Sequence, residues 1–471
     1  MNNIFCKPSL PIFLILCSLS LTSCSWFSED EKPKTVSGKK REIETSIKDG
    51  EINLTINENI IDAKKFIAEY MSKLPKPLEN KSWFRKGYVP AENLKLSKKP
   101  TDYSYYSAGS SPKRSFDISA IPIIAEDKIF TLGGQGELHA RNVSDPSQKL
   151  WKVVIEKELL HDNRKDADWL DDVESFFKDK DEFLGGNICY SIGTVFVTTK
   201  RGNVFAFNAS SGSLIWQKSI GSPLRSSPIA KNNILIVSTI ENKTIALDAT
   251  SGELIWEHEA SEEKNKLASS PAHLIIGDKV IVTYSSGEIY AISIKDGEEI
   301  WETIISPERI TVLLPTNNDV PYSPLYHDGI IVLVSAEGTV YALEENSGEE
   351  IWRFEGNAII HEPWAVSGFI FMINRFGEIY AISAKSGSTI WRKYLADPKV
   401  IDEDNLIFTS PIMANGEIYV ADNEGTLRAY SPKDGKINSV IDIEDNVLQS
   451  PVVAGGKMYI LSNDSDLLVL E

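Results

Sequence analysis

One phrase recurs along this chain at intervals that few architectures accommodate. Gly377–Trp391 reads Gly-Glu-Ile-Tyr-Ala-Ile-Ser-Ala-Lys-Ser-Gly-Ser-Thr-Ile-Trp, and Gly202–Trp216, Asn242–Trp256, Gly287–Trp301 and Gly338–Trp352 repeat it. Each copy ends on a Trp fourteen positions after its first residue. Looser copies lie at Gly136–Trp151, one residue longer, at Gly425–Ser439, where the Trp is lost, and at Ser465–Glu471, where the chain stops. Eight copies mostly 39 to 51 residues apart indicate a solenoid, a propeller or an array.

Each phrase reads as two strands and a turn. Ile379-Tyr380-Ala381-Ile382 is an apolar run suited to a strand covered on both faces. Ala384-Lys-Ser-Gly387 is turn chemistry, its Gly free to take positive φ. Thr389-Ile390-Trp391 opens the next strand with an aromatic placed to dock on a neighbouring sheet. Fourteen residues before most copies stands a Pro (122, 228, 324, 363, 411 and 451), followed by a hairpin such as that around Asn415-Gly416. Each unit is thus a four-stranded antiparallel meander of propeller-blade size. The expected fold is all-β, an eight-bladed β-propeller spanning 81–471. The regular spacing assigns Trp83, Trp151, Trp216, Trp256, Trp301, Trp352 and Trp391 to blade docking. The last copy ends on its third strand, at Leu467–Glu471. An open ring exposes two sheet edges, so an N-terminal strand near Trp83 is expected to complete that blade and close the ring.

The first residues bear on location. An apolar run, Leu10–Leu21, follows Lys7 and reads as a signal h-region over residues 1–23, too short for a permanent span. It ends in Leu21-Thr-Ser-Cys24. Residues 24–80 read as a largely flexible, charged tether, with a short helical pattern at Ile60–Leu74 stopped by Pro75 and Pro77. The formal net charge of −18 argues against nucleic-acid binding, which needs clustered Lys and Arg. Beyond the leader and Cys24 only Cys189 remains, read as a small buried apolar residue.

No catalytic pattern emerges. The six His are scattered over different repeats, and neither a P-loop nor a Gly-x-Ser-x-Gly elbow occurs. No catalytic residue, metal ligand or cofactor is expected. The longest departure from the repeat, Glu156–Gly186, places Trp169, Val173, Phe176 and Phe177 on one helical face and carboxylates on the other. It reads as a solvated acidic face or as a lid or docking helix. The connections Glu257–Ser270 and Ser306–Ser323 are also long, and loops on rigid scaffolds commonly carry binding.

The phrase Ala-x-x-x-x-Ser-Gly-x-x-x-Trp resembles the repeat of quinoprotein-type (PQQ-like) propellers, and Leu21–Cys24 resembles the bacterial lipobox. Together with eight units they resemble the BamB family, lipoproteins of the outer-membrane β-barrel assembly machinery. The resemblance implies that Cys24 is lipidated and that the chain is anchored to the outer membrane, facing the periplasm. It implies a non-catalytic scaffold that binds the periplasmic (POTRA) domains of BamA and assists unfolded outer-membrane clients, touching the membrane through its lipid alone. The partner-binding positions that match are Lys266 and Asp319. Lys stands where the family has Arg, and Pro321 where a second Asp is expected; Lys lacks the planar bidentate fork, and Glu262, Glu263 and Glu308 are alternative contributors. Competing readings are a periplasmic polysaccharide- or peptide-binding propeller and a PQQ-dependent dehydrogenase. Against the latter, adjacent paired cysteines and a Cys-x-x-Cys-His site are missing from the sequence.

Overall fold

Within the sheet around Gly377–Trp391, four strands follow one another: Trp364–Val366, Phe369–Ile373, Glu378–Ser383 and Thr389–Tyr394, paired in that order and all antiparallel. The third strand is covered on both faces because Ile379, Tyr380, Ala381 and Ile382 leave it no polar side. Ala381 stands opposite both Phe371 and Trp391, and the ladder shifts register immediately after it. The same shift follows the repeat Ala in blades one to seven. A bulge of this kind bends and twists the outer strand.

A computed structural model describes residues 63–89, 92–112, 120–155, 185–261, 271–305, 319–355, 357–403 and 405–471. The fold is an eight-bladed β-propeller of four-stranded antiparallel sheets. Blades one to seven span 123–154, 186–219, 229–259, 274–304, 325–354, 364–394 and 412–442. The eighth takes three strands from 452–470 and its outer strand, which we label β1 (Tyr103–Ser107), from far upstream. Outer strands alternate exposed and covered positions, as in Glu299–Ile304. The leader, Cys24, the first part of the tether and most of the acidic insert lie outside the described residues. The helical pattern at 60–74 contains the helix α1 (Ala63–Met71). Phe66 and Tyr70 of α1 meet Phe369 of blade six edge-on at 5.1 and 6.2 Å.

Six tryptophans join neighbouring blades by one geometry. Each indole lies on the turn glycine of the next blade and donates to a carbonyl there. Trp151 Nε1 donates to Ala209 O, Trp216 to Ala249 O and Trp256 to Ile294 O. Trp301 donates to Glu345 O, Trp352 to Ala384 O and Trp391 to Pro432 O, all six bonds being 2.8–3.1 Å. A Cβ on Gly348 would sit 2.5 Å from the Trp301 ring. The Gly is therefore required twice, for its φ of +72° and for the close approach.

Trp83 does not follow that pattern, and the expectation that its segment supplies the last outer strand is corrected. β1 fills that place, twenty residues further on, pairing Tyr103 with Leu470 through Ser107 with Asp466. Trp83 instead bridges Ile124 on the innermost strand of blade one, through N–H···O bonds of 2.7 and 2.9 Å. It is a core residue whose Nε1 has no partner among the described residues. Among the described residues no indole bridges the seam between blades eight and one. Arg141 spans it, donating to Ser107 O at 2.5 Å, stacking over Tyr106 and donating to Pro146 O.

Candidate functional site

The innermost strands of the ring surround an axis, and residues 74–99 run across one end of it. The segment touches blade after blade by short contacts. Trp83 meets blade one; Arg85 bridges Cys189 of blade two and donates to His273 O at blade four. Glu92 receives a bond from His327 Nδ1 of blade five (3.1 Å), and its backbone oxygen one from Trp364 Nε1 of blade six. Leu94 bridges Ala414 of blade seven, Leu96 bridges Gly456 of blade eight, and Asn80 donates to Val453 O of blade eight. An isolated strand of this length has few bonds of its own, so the inner-strand turns supply its backbone partners.

Polar groups also converge at the connections that lead into the inner strands, next to the crossing segment. Arg225, before Pro228, and Asp319, before Pro324, form an ion pair with both side chains buried. Arg225 Nη2 also donates to Val320 O at 3.1 Å, while its Nε and Nη1 have no partner among the described residues. Glu362 accepts from Ser323 and Ser410 hydroxyls at 3.3 and 2.7 Å and lies 3.8 Å from Lys86 of the crossing segment. Burial works to raise the Glu362 carboxyl, but the Lys86 charge and the Ser410 hydroxyl outweigh it and hold it below its ordinary value.

Of the partner-binding positions read from the sequence, Lys266 and its alternatives Glu262, Glu263 and Glu308 lie outside the described residues. Asp319 is fully buried, where its carboxylate neutralises Arg225. Arg225 was missed because its distance from the following Pro differs from that of Asp319, although a lone Arg within Leu224-Arg-Ser-Ser-Pro228 was a visible signal. Cys189 is fully buried, and burial pushes its thiol up to about 12, far from a reactive thiolate.

Among the described residues one group has metal-like spacing: Glu92, His327 and Asp328. Gly368 N donates to His327 Nε2 at 3.3 Å, so that nitrogen accepts and Nδ1 carries the proton directed at Glu92. Both ring nitrogens are thereby used in hydrogen bonds, and the set fits a structural contact better than a cation site.

Three other histidines are held neutral by burial. His273 is lowered to about 3, with Arg225 and Arg85 adding to the effect; His139 and His361 are lowered to about 4. The unfolded chain binds these protons near pH 6.5 and the folded chain does not. Stability is therefore full above about pH 6.5 and falls as the pH drops towards 4, by about 1.4 kcal/mol per unit for each imidazole. Urea unfolding at pH 7.5 and pH 5 is expected to show this loss, with His273→Gln flattening the slope; equal stability at both pH values would contradict it.

The sequence profile of the family described as outer membrane protein assembly factor BamB matches residues 148–393, just over half of the chain. The chain belongs to the BamB family. BamB of Escherichia coli is 23% identical over 331 residues, covering 67% of this chain and 74% of its own. An uncharacterized protein of Rickettsia prowazekii is 25% identical over 53% of this chain and 55% of its own, and one of Rickettsia conorii 26% over 38% and 44%. The chain thus spans about half the length of these two relatives. The crystal structure of BamB from Moraxella catarrhalis superposes with a TM-score of 0.59 at 16% identity, over 78% of this chain and 98% of that one. A quinohemoprotein alcohol dehydrogenase from Comamonas testosteroni gives 0.60 at 12%, over 87% and 82%. Both structures share the propeller; at these identities they show the fold alone. No helix among the described residues is long and apolar enough to cross a membrane.

Proposed function

We propose that this BamB-family protein is a non-catalytic scaffold of the outer-membrane β-barrel assembly machinery, moored at the periplasmic face through a lipid on Cys24. It binds the periplasmic POTRA domains of BamA and keeps them beside unfolded barrel clients. Family membership over the middle of the ring is the observation that carries this reading. In support, blades one to seven are joined in succession by buried and half-buried indoles, which suits a rigid platform presenting loops. The buried Arg225–Asp319 pair holds the stretch that leads into blade five, and Asp319 contributes to the proposed partner-binding surface by fixing that stretch. Lys266 is the proposed direct contact, where a charge on the rim of an interface sets specificity and association rate.

Affinity capture of the full chain from detergent-solubilised envelopes, followed by mass spectrometry, is expected to recover BamA. Lys266→Glu is expected to reduce that recovery several-fold without lowering the melting temperature. Recovery of no barrel-assembly subunit, together with dye reduction in a quinone- and calcium-supplemented dehydrogenase assay, would overturn the proposal in favour of an enzyme.

A further inference from the structure

Between the crossing segment and the inner strands of blades two to five lies a cavity of about 560 Å³. Phe84, Leu274, Ile275 and Leu325 give it apolar walls, and Tyr88, Tyr190 and Tyr326 add aromatic ones. Two cations, Arg85 and Lys231, line it, and among the described residues no carboxylate does, in a chain whose formal net charge is −18. Lys231 is already engaged, by Gly277 O and by Asp278 at 3.8 Å.

Arg85 is not so engaged. Its backbone is bridged to Cys189, which fixes the side chain's origin. Nη1 donates to Lys86 O and His273 O through long bonds of 3.3 and 3.4 Å, and the guanidinium lies 5.9 Å from the Tyr88 ring centre. Among the described residues no carboxylate pairs with it, and Nε and Nη2 donate to none of them. Burial lowers it to about 10, so it stays charged at neutral pH. Arg85 is half-buried; a partly desolvated cation without a counter-ion is unfavourable, and an incoming anion relieves it. At the cavity mouth Ile192 is 80% exposed; its positive φ belongs to the tight turn between the first two strands of blade two, as at Asn232-Asn233, Asp328-Gly329 and Asn415-Gly416.

We propose that this cavity binds a small amphipathic monocarboxylate, with the carboxylate forked on Arg85 and the apolar body against Phe84, Leu274, Ile275 and Leu325. The planar guanidinium matches a carboxylate with two parallel N–H···O bonds. The volume falls within the roughly 300–1,000 Å³ of small-molecule sites. A free organic acid and the C-terminus of a short peptide share this chemistry. The site is independent of the assembly role and stands or falls separately.

Isothermal titration of the full chain in detergent tests it with four probes: 4-phenylbutyrate, its neutral amide, inorganic phosphate and N-acetyl-Ala-Leu. At least one of the two carboxylate probes is expected to bind at one per chain, with the amide and phosphate at least tenfold weaker. The tighter of the two carboxylates identifies free acid or chain end as the source. Arg85→Gln is expected to weaken binding at least tenfold. Because Arg85 belongs to a packed segment, Ile192→Glu serves as a second variant: it adds a repelling carboxylate at an exposed mouth position, with melting unchanged and a similar loss of affinity. Equal affinity for acid and amide, unchanged affinity in both variants, or no binding of either carboxylate would overturn the proposal.

Discussion

Trp301→Ala is expected to destabilise the ring by about 3–5 kcal/mol, the scale for truncating a buried Trp. The residue joins blades four and five: it faces Ala291 across its own sheet, donates to Glu345 O at 3.0 Å and covers Gly348. Truncation opens a cavity between two sheets, in a cluster that also holds Ile281, Ile289, Ile331, Leu333 and Tyr341. In the melting temperature this corresponds to a fall on the order of 5–10 °C. Trp301→Phe keeps most of the packing and loses the bond, which costs about 1 kcal/mol. Gly348→Val strikes the same contact from the other side, forcing a side chain into positive φ and into the indole. The Trp301→Ala and Gly348→Val effects should be strongly non-additive, since each removes the same docking. Additive losses in calorimetry, or unchanged melting in Trp301→Ala, would show that the indole does not join the blades.

The second large effect is expected at Asp319→Ala. It leaves Arg225 buried without its counter-charge, and losing one member of such a pair costs about 3–5 kcal/mol. Arg225 is 5% exposed and Asp319 fully buried, so water cannot compensate. The double substitution Arg225→Met with Asp319→Leu removes both charges and should recover most of the loss, because an apolar replacement of a buried pair is often neutral or better. Capture of BamA by that double variant separates the two roles: recovered stability with lost capture assigns the pair to the interface, while recovery of both assigns it to the fold. A single Asp319→Ala variant as stable as the parent would contradict the burial argument.

The blades were legible because their signal is repeated and local. A third strand apolar on every residue, a turn Gly at fixed offset and a following indole state the topology of one sheet, and seven further copies state the ring. The closing strand was misplaced for a definite reason. The Trp signature points to Trp83, but β1 reads Tyr-Ser-Tyr-Tyr-Ser, and Ser104 faces Val469 where blades one to six pair Trp with Ala. Arg141 takes over the seam, and a single Arg carries no periodicity. The crossing of residues 74–99 was equally hidden. Its contacts are single bridges to partners some forty to nearly four hundred residues away, such as Trp83 to Ile124 and Leu96 to Gly456, which leave neither an alternation nor a spacing to read.

The site was partly legible for the same reason. Asp319 stands out by its offset from Pro324, but that offset does not point to Arg225, which the fold brings to it from 94 residues away. Arg85 and Glu362 stood in stretches without a repeat feature, and only the three-dimensional ring shows that one has no counter-ion among the described residues and the other gathers two serines and Lys86. Burial of Cys189 and the indole geometry follow from the repeat itself, since both sit on strands whose neighbours the period determines.

Depleting the protein from the cell that carries it, and measuring folded outer-membrane barrels by their heat-modifiable migration, tests the central claim most directly. The account predicts that folded barrel proteins decline while inner-membrane proteins hold steady, and that the wild-type chain restores them but a Cys24→Ala chain does so poorly. Unchanged barrel levels on full depletion would contradict it.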